Sequence, residues 1–220
     1  MYKACIFDLD GTLTDTLESL TYSVNRTLSE LGLGQITDEQ CKAFIGNGAR
    51  MLIKKSIQAA GDEEATLLDK AVEVYGRIFK EFCTYHVAPY DGIVEMLKEL
   101  QSQGIRLGVL SNKPHTQTQD VVATFFDEDV FDSVYGQREN VPRKPDPTAL
   151  HMILEEWGVA KEECLYIGDS DVDMKTGCAA GLKTVGVSWG FRSKDVLVES
   201  GATYVVDKAE EIISIVKGAK

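Results

Sequence analysis

Two aspartates directly follow the first apolar stretch of the chain. Residues 3–8 read Lys-Ala-Cys-Ile-Phe-Asp, and the residues after them have the composition of a turn. Because residues i and i+2 of an extended segment point to the same side, Asp8 and Asp10 are expected to share one crevice just beyond a strand. Gly11 lets the backbone turn sharply and approach a ligand. The alternative is a solvated acidic turn in which Thr12 or Thr14 caps the following helix.

Further polar residues follow the later strands that the sequence predicts. In chain order they are Ser111, Asn112, Lys144, Asp169 and Asp173. Ligands of an open α/β sheet bind outside the carboxyl ends of its strands, so these side chains are expected in the same crevice as the first two aspartates. Polar loops without a shared function would not be expected to sort to one edge of the sheet in this way.

The expected crevice carries far more negative than positive charge. Up to four carboxylates would lie there, and Lys144 alone cannot balance them. Unit charges about 4 Å apart interact by roughly 4 kcal/mol at a surface-like dielectric, so the cluster needs another cation. Hard oxygen ligands select Mg²⁺, which often bridges to a substrate phosphate. The alternative for Asp169 and Asp173 is an acidic helix N-terminus, which is favourable by itself.

The composition excludes several classes of partner. Of the 220 residues, 44% are hydrophobic and 26% are charged, an ordinary balance for a globular protein. The net charge of −12 disfavours nucleic acid and anionic membranes. Five widely spaced cysteines predict reduced thiols in the cytoplasm, rather than zinc or disulfides. Neither a signal peptide nor a membrane span is expected, and the sequence leaves open a monomer or a homodimer.

The predicted elements divide the chain into a helical block and an alternating part. Residues 15–84 show helical periodicity with no predicted strand. From residue 91 helices and strands alternate, which predicts a doubly wound parallel sheet of the Rossmann-like α/β class. The first strand must join that sheet to bury its surface. Residues 1–14 and 85–220 are therefore expected to form the catalytic core, and the helical block an inserted cap domain.

The polar segments also carry a resemblance to a known family. They resemble the four motifs of the haloacid dehalogenase superfamily of phosphatases, and the helical block is similar to that superfamily's cap. Within the superfamily, the chain most resembles the phosphoglycolate phosphatases. The matching segments are Asp8-Leu9-Asp10-Gly11-Thr12-Leu13, Ser111-Asn112-Lys113, Lys144-Pro145 and Gly168-Asp169-Ser170-x-x-Asp173.

The resemblance implies a role for each group at the phosphate. Asp8 would be the nucleophile and form an aspartyl-phosphate. Asp10 would protonate the leaving alkoxide and then take a proton from the attacking water. Phosphoryl oxygens would be bound by Ser111 and by the backbone N–H of Asn112. Lys144 would neutralise charge on the nucleophile and on the phosphoryl group.

The resemblance also implies how Mg²⁺ is held. Its ligands would be Asp8, the main-chain carbonyl of Asp10, and Asp169. Asp173 would act in the outer coordination shell or through water. The true dehalogenases of the superfamily lack the second acid, so Asp10 argues against dehalogenation.

The glycine-rich turn Gly46-Asn47-Gly48, in the helical block, is a candidate for recognising the rest of the substrate. The turn precedes a helix whose first N–H groups are unpaired, and such a helix N-terminus attracts anions. It could therefore bind the carboxylate of phosphoglycolate, although it could equally only join two helices. The candidate substrate-binding residues are then Gly11, Thr12, Asn112, Gly46, Asn47, Gly48 and Arg50.

Three other functions use related chemistry. A pyrophosphatase or a sugar-phosphate phosphatase would use the same chemistry on another substrate. A sugar-phosphate mutase would return the phosphoryl group to the sugar. A signalling receiver domain also uses a phosphorylated aspartate on a doubly wound sheet, but it has no helical insertion such as residues 15–84, and its motifs come in another order.

Overall fold

A six-stranded parallel sheet forms the centre of the computed structural model, which describes residues 2–218. Its order is β5-β4-β1-β6-β7-β8, and β2 and β3 form a separate antiparallel ribbon. The chain leaves β1 towards one edge and then returns to its other side, so the topological switch point lies between β1 and β6. The strands are β1 Ala4–Phe7, β2 Thr14–Asp15, β3 Ala88–Pro89, β4 Arg106–Pro114, β5 Ser133–Gln137, β6 Cys164–Gly168, β7 Lys183–Val187 and β8 Tyr204–Val206.

Helices lie on both faces of the sheet, as the alternating pattern predicts, so the doubly wound α/β fold is confirmed. No helix in residues 2–218 combines the length and apolarity needed to cross a bilayer. The helices are α1 Leu17–Glu30, α2 Asp38–Phe44, α3 Ala49–Ala59, α4 Leu68–Phe82, α5 Ile93–Ser102, α6 His115–Phe125, α7 Thr148–Trp157, α8 Asp171–Ala180, α9 Lys194–Glu199 and α10 Ala209–Val216.

Strand β1 is buried on both faces, which explains its uninterrupted apolar sequence. Ala4 and Ile6 pack with residues of α7 and α8, whereas Cys5 and Phe7 pack with residues of α5, α6 and α10. Residue Ala4 pairs with a residue of β4 on one side and of β6 on the other. This register aligns the carboxyl ends of the three strands that lead to the predicted site.

The helices α1 to α4 share a hydrophobic cluster of their own. It contains Val24 of α1, Ile53 and Ile57 of α3, and Tyr75 and Phe79 of α4. Each side chain comes from the apolar face of an amphipathic helix. These helices therefore bury their apolar faces mainly against one another, to the side of the sheet.

Some predicted boundaries move. The periodicity predicts a helix from Thr14, but α1 begins at Leu17 because Thr14 and Asp15 pair with β3. The range predicted to lack strands thus includes one strand residue. Aspartate is a favoured N-cap residue, which predicts Asp91 as the cap of α5. This prediction is wrong, because Gly92 occupies the cap position in the left-handed region, without a side-chain cap.

Candidate active site

The loop after β1 holds the first two aspartates at the edge of the sheet. The N–H of Asp8 continues the pairing by donating to the carbonyl of Ile167, at 2.9 Å. Beyond Asp8, the Leu9 carbonyl accepts hydrogen bonds from the backbone N–H groups of the turn that follows it. Gly11 has φ +85°, and a Cβ there would collide with the Asp169 carboxylate. A glycine is therefore required for both the backbone conformation and the close approach of the acid.

Three buried carboxylates converge at the switch point. Asp8, Asp169 and Asp173 each place a carboxylate oxygen within 4.8 Å of the others. Burial, and then the charge of Asp173, raises the pKa of Asp8 to about 7, although Lys144 partly opposes this. Burial and the two neighbouring acids also raise the pKa of Asp169 well above its usual range. The protein alone therefore does not stabilise the fully ionised cluster.

Lys144 lies between two of these acids. Its Nζ is 2.9 Å from Asp8 Oδ1 and 2.7 Å from Asp173 Oδ1. The contact with Asp8 is an ion pair without the geometry of a directed hydrogen bond, so Oδ1 of Asp8 has no hydrogen-bond donor. Burial by itself would lower the pKa of Lys144, but the charges of Asp173 and Asp8 outweigh it and raise the pKa well above its usual range.

Asp173 has hydrogen-bond donors on both carboxylate oxygens. Oδ1 accepts from Lys144 and from the Tyr166 hydroxyl at 3.1 Å. Oδ2 accepts from the backbone N–H and the hydroxyl of Ser170, which completes a capping box at the start of α8. This carboxylate is therefore suited to positioning Lys144 and favours an outer-shell role rather than direct metal ligation.

The donor set of the site fits a hard divalent cation. Asp8 presents an oxygen that lacks a hydrogen-bond donor, and the Asp169 carboxylate lies beside it. Asp169 is oriented by the Phe191 N–H at 2.7 Å and the Thr12 hydroxyl at 3.3 Å. Carboxylate oxygens with orienting partners suit Mg²⁺, and the raised pKa values show that the cluster gains from a positive charge.

Ser111 and Asn112 lie in the last part of β4, where its pairing with β5 becomes irregular, and they belong to the same site. The Asn112 side chain accepts from the Lys144 N–H at 2.9 Å and donates to the Lys144 carbonyl at 3.0 Å. It also donates to the Gly46 carbonyl, at 2.9 Å. The amide thus fixes the backbone of Lys144 and touches the glycine-rich turn, a role that the sequence motif did not predict. The backbone N–H of Asn112 and the hydroxyl of Ser111 stay candidates for phosphoryl binding.

The glycine-rich turn is held over the site by its carbonyls. Besides the bond from Asn112 to Gly46, Arg143 donates to the Asn47 carbonyl at 3.1 Å. Arg192 donates to the carbonyls of Lys42 and Ile45, at 2.9 and 2.7 Å. Arginine side chains of the α/β part therefore satisfy backbone acceptors that the end of α2 leaves open.

Arg50 points away from these groups. Its guanidinium pairs with Asp69 of α4 at 2.7 Å, and both side chains are largely exposed. Gly46 and Gly48 line the cavity above the acids, whereas neither Asn47 nor Arg50 belongs to its lining. Substrate contacts by Asn47 and Arg50 stay a prediction that would require movement of these side chains.

The cavity lies between the sheet edge and α1, α3 and α4. The structure brings most of the predicted residues to it, and Gly11, Thr12 and Asp173 lie just behind the lining. The predicted residues that line it are Asp8, Asp10, Ser111, Asn112, Lys144, Asp169, Gly46 and Gly48. All of the strands that bear these side chains end at this one edge.

The lining also includes residues that were not among the predicted site residues, and Lys113, Phe191 and Arg192 are three of them. Phe191 and Arg192 follow β7, so the strand-end argument extended to that strand would have found them. Lys113 belongs to the Ser-Asn-Lys motif, but the motif predicted roles only for the serine and the asparagine that precede it. Its Nζ lies 2.9 Å from Asp10 Oδ1.

Comparison with known proteins relates the whole chain to one family. The family model described as haloacid dehalogenase-like hydrolase matches residues 5–187. A protein of Rhodospirillum rubrum named phosphoglycolate phosphatase is 34% identical, covering 94% of this chain and 88% of that protein. A phosphoglycolate phosphatase of Colwellia psychrerythraea is 29% identical, covering 98% of this chain and 97% of that protein.

Solved structures extend the similarity to three dimensions. The crystal structure named as that of a predicted phosphoglycolate phosphatase from Haemophilus somnus has a TM-score of 0.91 at 26% identity, with 97% of each chain covered. The family match spans all four motifs, and the relatives cover the helical segment as well. The resemblance seen in the motifs is thus confirmed, and the chain is an enzyme of the haloacid dehalogenase-like hydrolase family.

Proposed function

We propose that this hydrolase is a Mg²⁺-dependent phosphatase that hydrolyses a small phosphate monoester, 2-phosphoglycolate, through an aspartyl-phosphate. The observation that carries the proposal is the meeting of Asp8, Asp10, Lys144 and Asp169 at one cavity. The names of the curated relatives supply the substrate. A panel of phosphate esters, assayed for kcat/KM by phosphate release, tests it: a clear preference for another ester would reject the substrate.

The chain's own groups account for both halves of the reaction. A carboxylate oxygen of Asp8 attacks phosphorus, and Asp10 gives its proton to the leaving oxygen. In the second half, Asp10 takes a proton from water as that water attacks the aspartyl-phosphate. Lys144 holds Asp8 in place and neutralises charge, while Ser111 and the N–H of Asn112 bind phosphoryl oxygens. The cavity walls keep bulk water away from the intermediate.

We propose Asp8, the Asp10 carbonyl and Asp169 as the residues that hold Mg²⁺. When bound, Mg²⁺ supplies positive charge that offsets the carboxylates and the phosphoryl oxygens. Asp173 supports the site by holding Lys144 at 2.7 Å. The site is thereby able to accept an anionic substrate even though the whole chain has a net charge of −12.

The division of labour along the chain follows from the same proposal. Residues 1–14 and 85–220 would carry the chemistry, and residues 15–84 would act as a cap that closes the cavity. The glycine-rich turn is the part of the cap most directly bonded to the core.

We also place the enzyme in the cytoplasm, because all five cysteines are free thiols and four of them are buried.

Removing the metal should abolish activity. Excess EDTA should stop phosphate release and Mg²⁺ should restore it, whereas Ca²⁺ should inhibit because its looser coordination can engage Asp8 bidentately. Mg²⁺ without substrate should also raise Tm, since it binds only the folded cluster. The Tm increase should disappear in Asp169→Ala. Full activity in EDTA, or no Tm response in the wild type, would contradict the metal site.

Asp10 should be separable from the metal ligands. Asp10→Asn cannot transfer the catalytic proton, so kcat should fall by about 10²- to 10⁴-fold. Its main-chain carbonyl remains, so Mg²⁺ affinity measured by calorimetry should change less than in Asp169→Ala. If Asp10→Asn weakened Mg²⁺ binding more than Asp169→Ala did, the assigned roles would be wrong.

A further inference from the structure

Lys113 is a buried cation that the mechanism above leaves without a task. Its side chain is 1% exposed, and its Nζ lies 2.9 Å from Asp10 Oδ1. On its other side, the Nζ lies 4.6 Å from the ring centroid of Phe79, on α4. The ammonium therefore sits between the general acid and the helical wall of the cavity.

The ammonium has unused hydrogen-bonding capacity. A lysine has three N–H donors, and among residues 2–218 Asp10 is the one hydrogen-bond acceptor that Lys113 Nζ contacts. The ring face of Phe79 adds a weaker cation–π attraction. Burying an ammonium is costly unless its donors are satisfied, so the remaining donors favour an anionic or polar ligand in the cavity.

The other cations of the cavity are already engaged. Lys144 contacts Asp8 and Asp173, and Arg192 donates to two carbonyls of the α2 segment. Of the cations lining the described cavity, Lys113 is the one whose Nζ contacts Asp10.

The helical wall provides no competing charge. The side chains that α1, α3 and α4 turn into the cavity are Leu20, Ala49, Leu52, Tyr75 and Phe79. An anionic group of the substrate would be poorly solvated against such a wall and would gain most beside the buried ammonium. Arg50, which belongs to the same helical segment, is occupied by Asp69 outside this lining.

We propose that Lys113 determines substrate specificity by binding a carboxylate of the leaving group. This rests on the proposed function, in which phosphorus meets Asp8 and the ester oxygen meets Asp10. In a phosphorylated 2-hydroxy acid the carboxyl carbon lies two bonds from that oxygen, so the cation that touches Asp10 is placed to reach it. The site then selects phosphate esters of small 2-hydroxy acids over esters of neutral alcohols. The carboxylate is bound by Lys113 of the core and not by Arg50.

The test compares two esters that differ in the carboxylate. Lys113→Met keeps the length of the side chain and removes its charge. Its loss of kcat/KM on 2-phosphoglycolate should exceed its loss on ethyl phosphate by about tenfold to a hundredfold, the effect of one charge-assisted hydrogen bond. Equal losses on both esters would show that Lys113 only holds Asp10, and would overturn the proposal.

Arg50→Ala is the matched control, because it removes the cation of the turn-based alternative. It should leave the preference between the two esters within about threefold, as expected for an exposed pair. If Arg50→Ala changed this preference more than Lys113→Met does, the turn would bind the carboxylate instead, and the assignment to Lys113 would be rejected.

A measurement on the wild type decides the matter if Lys113→Met does not fold. The wild type should prefer 2-phosphoglycolate to its neutral amide, 2-phosphoglycolamide, by about tenfold or more. Hydrolysis of both at equal kcat/KM overturns the role of Lys113 while leaving the phosphatase function in place. If the wild type hydrolyses none of the three esters, 2-phosphoglycolate, 2-phosphoglycolamide and ethyl phosphate, the proposed function itself is rejected.

Discussion

Replacing Asp8 by asparagine should abolish turnover and at the same time stabilise the metal-free fold. Asparagine keeps the shape of the side chain but cannot attack phosphorus, so kcat/KM should fall by at least about 10⁴-fold. The pKa of Asp8 is raised from 3.8 to about 7, chiefly by burial. Its ionised form therefore opposes folding at pH 8, and the substitution should raise Tm in EDTA by a few degrees.

The sign of the pH dependence provides an additional check. Between pH 3.8 and about 7 the folded protein holds a proton on Asp8 that the unfolded chain releases. The stability of the metal-free wild type should therefore fall as pH rises through this window, and Asp8→Asn should flatten that fall. Asp127→Asn, at an exposed carboxylate, is the control for activity and should leave turnover unchanged. Activity of Asp8→Asn within tenfold of wild type would mean that water attacks phosphorus directly.

Replacing Lys144 by methionine should remove both activity and stability. Methionine fills a similar volume, but it leaves Asp8 and Asp173 without the cation that lies 2.9 and 2.7 Å from them. Breaking a buried ion pair on one side costs about 3–5 kcal/mol, which urea denaturation in EDTA should show. Loss of charge stabilisation at the phosphoryl group should lower kcat by about 10²-fold or more.

An exposed lysine of the adjoining helix provides the control. Lys175 pairs with Asp171 at 2.6 Å, and its side chain is 55% exposed. Lys175→Met should change the free energy of unfolding by less than about 0.5 kcal/mol and leave kcat unaltered. If Lys144→Met were as mild as Lys175→Met, the lysine would not be the counter-charge of the acid cluster.

The location of the site could be predicted from the sequence because parallel strands end at one edge. Apolar runs end at Asp8, Ser111 and Asp169, at or near the carboxyl ends of their strands, and the topology then brings these residues together. The same reasoning predicted the helices on both faces and the excess of negative charge. It needed only the order of the elements and the chemistry of the side chains.

Side-chain pairing across the cavity could not be predicted, because it depends on how the helices are rotated against the sheet. Periodicity places Arg50 in the first turn of α3, but only packing shows that it faces Asp69. Likewise, no motif shows that the Asn112 amide would hold both Lys144 and Gly46. Lys113 was visible in a motif, yet its position between Asp10 and Phe79 requires the fold.

The stereochemistry of phosphoryl transfer tests the covalent role of Asp8 most directly. A phosphorothioate ester made chiral at phosphorus with two oxygen isotopes is hydrolysed by the wild type in water that carries the third isotope, and the configuration of the released thiophosphate is determined. Each in-line displacement inverts phosphorus. Attack by Asp8 followed by attack of water on the aspartyl-phosphate therefore predicts net retention. Net inversion would show a single direct attack by water and would contradict the aspartyl-phosphate mechanism.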